Sequence, residues 1–89
     1  MLLKDKLVLV SGASRGLGAA VSRAAHREGA WVVVNYFNSP DMASDLVEEL
    51  GSRALAVQAD VRSLAAVQQM IQKGQEWASR PVTGLVNNA

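Results

Sequence analysis

Three glycines pose the first chemical question, because Gly12, Gly16 and Gly18 fall in the run Ser11-Gly12-Ala13-Ser14-Arg15-Gly16-Leu17-Gly18. The run follows the apolar, β-branched stretch Leu7 to Val10 and precedes a stretch with helical spacing, so the glycines occupy a strand-to-helix turn. Backbone N–H groups at a helix start have no partner within the helix and sit at the positive end of its dipole, an arrangement that receives phosphate or pyrophosphate. In that role Gly12 permits the tight turn and Gly16 lets the backbone approach the pyrophosphate with no Cβ in the way. Gly18 lets the helix pack close to the strands. The spacing is not G-x-G-x-x-G, and no Gly-Lys-Ser or Gly-Lys-Thr follows, which excludes a P-loop. The plain alternative is a tight turn that binds nothing.

The elements that must position these residues follow from the hydrophobic pattern. After the first strand, Leu17, Val21, Ala24 and Ala25 make one face of a helix reaching about His26 to Glu28, with Gly29 just past its end. Trp31 to Val34 is a second buried strand ending near Asn35. Ser39-Pro40 reads as an N-cap and a first-turn proline, and Met42, Leu46, Val47 and Leu50 supply the apolar stripe of a second helix that Gly51 ends. Ala54 to Val57 is a third strand, with Asp60-Val61 in the loop beyond it. A third helix starts at Ser63 and carries Val67, Met70, Ile71 and Trp77, with an interruption expected at Gly74. Val82 to Val86 is the fourth strand, with Pro81 before its ladder. Four strands alternate with three helices across short connections, which predicts one α/β unit over residues 1–89, a partial doubly wound Rossmann fold. Its parallel sheet is expected in the order 3-2-1-4.

Taken together, the string Ser11 to Gly18, the pair Asp60-Val61 and the closing Asn87-Asn88-Ala89 resemble the short-chain dehydrogenase/reductase family, in order and spacing across the whole chain. Within it the look is nearest to 3-oxoacyl-[acyl-carrier-protein] reductase-like members. The family's turn usually begins with Thr where this chain has Ser11, which keeps the hydroxyl. The resemblance implies that Asp60 binds the adenine amino group with the Val61 N–H beside it, and that Asn87, Asn88 and Ala89 hold the sheet and line the adenosine ribose. It also implies hydride transfer between a nicotinamide and a carbonyl or alcohol carbon, carried out with a serine and a Tyr-x-x-x-Lys from the family's second half. None of these can be assigned in the chain, so the expectation is a cofactor-binding segment truncated before the catalytic half, with no catalytic residue of its own. The intact parent is expected to be a homo-oligomer. A nucleotide-binding module without catalysis, or a truncated chain pairing through its sheet edge, is the alternative. Without the resemblance, Asp60 is equally a loop aspartate at a helix start, and Asn87-Asn88 an ordinary polar strand end.

A carboxylate at the end of the second strand, about 20 residues past the turn, would bond the ribose hydroxyls and repel a 2′-phosphate. No acid occurs from Ala30 through Pro40, where the chain reads Asn35-Tyr36-Phe37-Asn38-Ser39. Arg15 in the turn and Ser39 at the next helix start suit a 2′-phosphate, so NADP(H) is favoured over NAD(H). Similar reductases often carry a second arginine where this chain has Asn38, and Arg15 on an exposed turn has solvent as its other reading. Ser14, Leu17, Asn35 and Tyr36 complete the candidate cofactor set. Tyr36 lies on the adenosine side, away from a hydride. His26, the one histidine, sits near a helix end and has no partner for a metal site. Met42, Met70 and Trp77 are expected in the core.

Composition narrows the remaining classes. Nine Lys and Arg against eight Asp and Glu, with no basic cluster, call for neither a nucleic-acid nor a membrane-surface partner. There is no cysteine, which excludes a disulfide scaffold and thiolate zinc, and no run approaches the roughly 20 apolar residues of a span. The cytoplasm is the expected compartment.

Overall fold

The computed structural model describes residues 1–88. The elements follow in the order β1 (Leu7–Val10), α1 (Gly16–Arg27), β2 (Trp31–Tyr36), α2 (Pro40–Leu50), β3 (Ala54–Gln58), α3 (Leu64–Ala78) and β4 (Val82–Val86). The four strands form one parallel sheet ordered β3-β2-β1-β4, the doubly wound arrangement that the alternation implied.

Alternate residues of the strands feed two cores. Val8, Val10, Val32 and Val34 pack with Ala19 and Ala25 of α1 and with Ala43 and Leu46 of α2. Leu7, Leu9, Val33 and Val57 face the other way, onto Met70 and Ala78 of α3. Helices on both sides explain why β1 is buried at all four positions and shows no polar alternation. β4 pairs only with β1 among the described strands, and its register shifts between Leu7↔Val82 and Val8↔Gly84, which leaves Thr83 as the extra residue.

Helix faces differ from the apolar spacing in three places. In α1 the buried side is Gly18, Ala19, Ser22 and Ala25, while Leu17 is 69% exposed at the mouth of the turn. Small residues win this face because the helix lies close against the sheet. In α2, Ala43 and Leu46 are buried, and Met42 is 41% exposed rather than in the core, because it lies off the face that Ala43 and Leu46 present to the sheet. α3 runs unbroken through Gly74, which is buried where an added Cβ would stand 2.8 Å from Val33 Cγ2. The glycine expected to interrupt this helix instead permits its approach to β2. Met70 is buried as expected, and Trp77 is partly buried, edge-on to Trp31 with ring centroids 5.3 Å apart.

Candidate functional site

The glycine turn lies at the carboxyl ends of the parallel strands, on the side where open α/β sheets receive ligands. Gly12 and Gly16 have φ of 59° and 60°, backbone that strains any residue with a Cβ. Around Gly16 an added Cβ would meet nothing within 4 Å, so this stretch of backbone faces open space. Gly18 is the opposite case: a Cβ there would run into the Gly12 carbonyl and come 2.8 Å from Asn88 Nδ2 and 2.9 Å from Ala13 Cα. The close approach foreseen for Gly18 is thus made against the turn itself and the end of β4.

α1 begins without a side-chain cap and without an acid in its first turn, which leaves its first N–H groups and its positive dipole end uncompensated by the helix. α3, by contrast, is capped by Ser63, whose Oγ accepts from the Ala66 N–H at 3.2 Å. Ser39 holds the N-cap position of α2 but makes no cap bond, and its side chain lines a cavity instead.

That cavity, of about 400 Å³, is bounded by the turn from Ser14 to Leu17, by Tyr36 and Ser39, and by Asn88. No acidic residue lines it, and Arg15 supplies its one basic side chain. A second cavity of about 400 Å³ adjoins it across Gly12 and reaches Asn35, Asp60, Val61 and Arg62. Phe37, 47% exposed, borders both. The structure therefore gathers the turn, the end of β2 and the loop after β3 into one continuous edge.

The Asp60 carboxylate is held by its own loop. Arg62 donates to it from Nε at 3.1 Å, from Nη2 at 2.9 Å and from its backbone N–H at 2.9 Å. These bonds from Arg62 hold the carboxyl below the usual aspartate range. The Asp60 side chain does not cap α3, since Ser63 does so. Arg62 was not among the residues singled out from the sequence, although an acid and an arginine two apart in a loop were a readable signal.

Ser11 ties the turn to β4. Its Oγ lies 3.3 Å from Val86 O and 3.1 Å from Asn87 Oδ1, and it accepts from the Asn88 N–H at 3.0 Å. Asn88 Nδ2 donates to the Gly12 carbonyl at 3.4 Å. The asparagine pair expected to hold the sheet does meet the turn, while Ala89 lies outside the described residues. His26 sits in the last turn of α1 with Nε2 2.7 Å from Ser52 O, away from this edge. Among the described residues there is no group of three or more His, Cys, Asp or Glu side chains fit to hold a metal, and no helix is long and apolar enough to cross a membrane.

The chain is similar to known proteins over most or all of its length. The chain is 46% identical over 74 residues to a short chain dehydrogenase of Claviceps purpurea, covering 80% of this chain and 28% of that protein. It is 44% identical over 77 residues to a versicolorin reductase of Emericella nidulans, covering 83% and 29%. It is 42% identical over 95 residues to an L-rhamnose 1-dehydrogenase (NAD(P)(+)) of Azotobacter vinelandii, covering 100% and 37%. The chain thus spans 28–37% of the length of these curated relatives. Among solved structures, a short chain dehydrogenase from Burkholderia cenocepacia in complex with NADP superposes with a TM-score of 0.90 at 38% identity, covering 100% of this chain and 37% of that one. A blue fluorescent protein from a metagenomic library, in complex with NADPH, gives 0.92 at 39% identity, covering 100% and 38%. The family model for short chain dehydrogenases matches residues 6–89, and the chain belongs to that family.

Proposed function

We propose that this chain is the cofactor-binding part of an NADP(H)-dependent oxidoreductase that interconverts a carbonyl and an alcohol. The observation that carries the reading is the uncapped start of α1, which opens through a glycine turn onto an acid-free cavity beside Arg15, Tyr36 and Ser39. Relatives in complex with NADP and NADPH support the same choice of cofactor.

The residues fit such a group. Gly16 presents bare backbone toward open space, and Gly18 allows the helix start to stay close. In this reading the backbone from Ser14 to Gly18, with Gly12, receives the pyrophosphate. Arg15 and Ser39, beside Tyr36, take the 2′-phosphate. Asp60 and the Val61 N–H meet the adenine amino group, and Asn87, Asn88 and Ala89 line the adenosine ribose. Asn35 supports this set from below. When bound, the cofactor supplies the hydride for carbonyl reduction. The chain's own part is to bind and orient it, and the proton-transfer groups belong to the whole protein. We place that protein in the cytoplasm as a homo-oligomer, with a 3-oxoacyl thioester as the first substrate to try.

The second reading is nucleotide binding without catalysis, since everything the geometry supports in these residues is cofactor binding. Titration of the full-length protein with NADPH and NADH, followed by carbonyl reduction across a panel of substrates, separates the two. Tight NADPH binding with turnover supports the first reading. Binding without turnover supports the second, and no binding of either cofactor overturns both.

A further inference from the structure

On the wall of the second cavity, Asn35 is 2% exposed and its side-chain amide is engaged within the protein. Its Oδ1 accepts from the Gly12 N–H at 3.3 Å. Its Nδ2 donates toward Val57 O at 3.3 Å and Ala59 O at 3.2 Å, with Tyr36 O at 3.4 Å. Backbone bonds run alongside: Ala13 N–H to Asn35 O at 2.9 Å, and Ala59 N–H to Tyr36 O at 3.0 Å. One side chain thus joins a turn 23 residues before it to a strand end and loop 22 and 24 residues after it.

We infer that Asn35 is a positioning residue whose buried amide locks the glycine turn to the loop after β3 and so sets the spacing between the two ends of the site. The chemistry of the partners requires an amide. Gly12 offers a donor and needs an acceptor, while Val57 and Ala59 offer carbonyls and need donors. Aspartate carries only acceptors when ionised. Leucine has the same branching, a somewhat larger volume, and neither donor nor acceptor. Because the bonds to Val57 O and Ala59 O are buried, losing the amide leaves those carbonyls short of a donor, while the exposed Gly12 loses its side-chain anchor to β2. The turn and the Asp60 loop are then held to β2 by the backbone bonds of Ala13 and Ala59 alone, and a rigid ligand that bridges them meets a looser seat.

The test is backbone hydrogen exchange on the full-length protein without ligand, followed by cofactor kinetics. In Asn35→Leu, amides of residues 12–18 and 59–62 should both exchange about tenfold faster, while Leu9 and Val33 in the strands keep their protection. Asn35→Asp, measured at pH 8 to keep the new carboxyl ionised, retains the acceptor for Gly12 and removes the donors. Its faster exchange should be confined to residues 59–62, and this variant decides the matter alone if Asn35→Leu does not fold. Unchanged exchange in residues 59–62, or loosening of both segments in Asn35→Asp, overturns the lock. The functional half rests on the NADP(H) reading: KM for NADPH should rise about tenfold in Asn35→Leu, or in Asn35→Asp if the former does not fold, with kcat within twofold. A fall in kcat at unchanged KM overturns it. If the wild-type protein does not bind NADPH, the cofactor reading fails while the exchange result still decides the lock.

Discussion

Under the proposed reading Arg15 and Asp60 serve opposite ends of the adenosine moiety, and each makes a different demand on the cofactor. Arg15 is the one basic side chain on the acid-free cavity, so its guanidinium matters where a 2′-phosphate is present. Arg15→Ala is expected to weaken NADPH binding about tenfold or more and NADH binding little, read by titration of the full-length protein; equal losses would remove it from the phosphate site. In the same reading Asp60 meets the adenine amino group, which both cofactors share, so Asp60→Ala should weaken both. Its pH behaviour follows from Arg62, which keeps the carboxyl ionised below the ordinary aspartate range. A carboxyl with a depressed folded value keeps its contribution above the unfolded value and loses it as the pH falls through the folded one. NADPH affinity in the wild type should therefore persist further into acid than in Arg62→Ala, where the acid loss begins at a higher pH. A titration of the Asp60 carboxyl by NMR in the two proteins checks the direction.

Two glycines set how closely helices approach the sheet, and they differ in what a methyl group would meet. At Gly18 it would strike backbone, the Gly12 carbonyl and Ala13 Cα, which can move only if the turn moves. At Gly74 it would press on Val33 Cγ2, one terminal methyl of a fully buried valine. Alanine in a helix interior gains up to about 1 kcal/mol over glycine, and overpacking costs roughly 1–3 kcal/mol. Gly18→Ala should thus be clearly destabilising and weaken the cofactor site as well, while Gly74→Ala comes out near neutral to mildly destabilising. Urea unfolding of both variants ranks them; the reverse order would contradict the contact geometry.

In the molecule as a whole, β4 is the edge of the described sheet beside β1, and Leu85 on it is 66% exposed. The third cavity, about 300 Å³, opens next to it between Leu9 and Leu85 of the sheet and Met70 and Ile71 of α3. An exposed parallel edge with apolar side chains pairs readily with another chain. A polypeptide of residues 1–89 alone is expected to self-associate and to show no NADPH-dependent carbonyl reduction. Sedimentation of that polypeptide and of its Leu85→Lys variant tests the edge directly, since an edge lysine should reduce the association. A monomer in both would overturn the expected association, and association unchanged in Leu85→Lys would dismiss the edge as its cause.

The sequence alone determined what short-range pattern encodes. Continuous apolar runs marked the strands, with β1 and β4 placed to the residue and β2 and β3 differing only at their carboxyl ends. The three glycines marked the turn, and Ser63 marked the start of α3, because each depends on backbone geometry within a few residues. The tertiary structure decided everything that depends on which strands become neighbours. Bringing β4 beside β1 places Ser11 against Asn88, 77 residues away, and no local signal specifies that contact. Where α1 comes closest to the sheet, Gly18, Ala19, Ser22 and Ala25 are buried and Leu17 is left outside, while Leu46 and Met70 fill the wider gaps under α2 and α3. From the sequence Asn35 is expected at the end of the second strand as one of the cofactor set. Only the convergence of β1, β2 and β3 around it buries the amide, supplies a donor on one side and carbonyls on the other, and turns it into the link between two halves of the site.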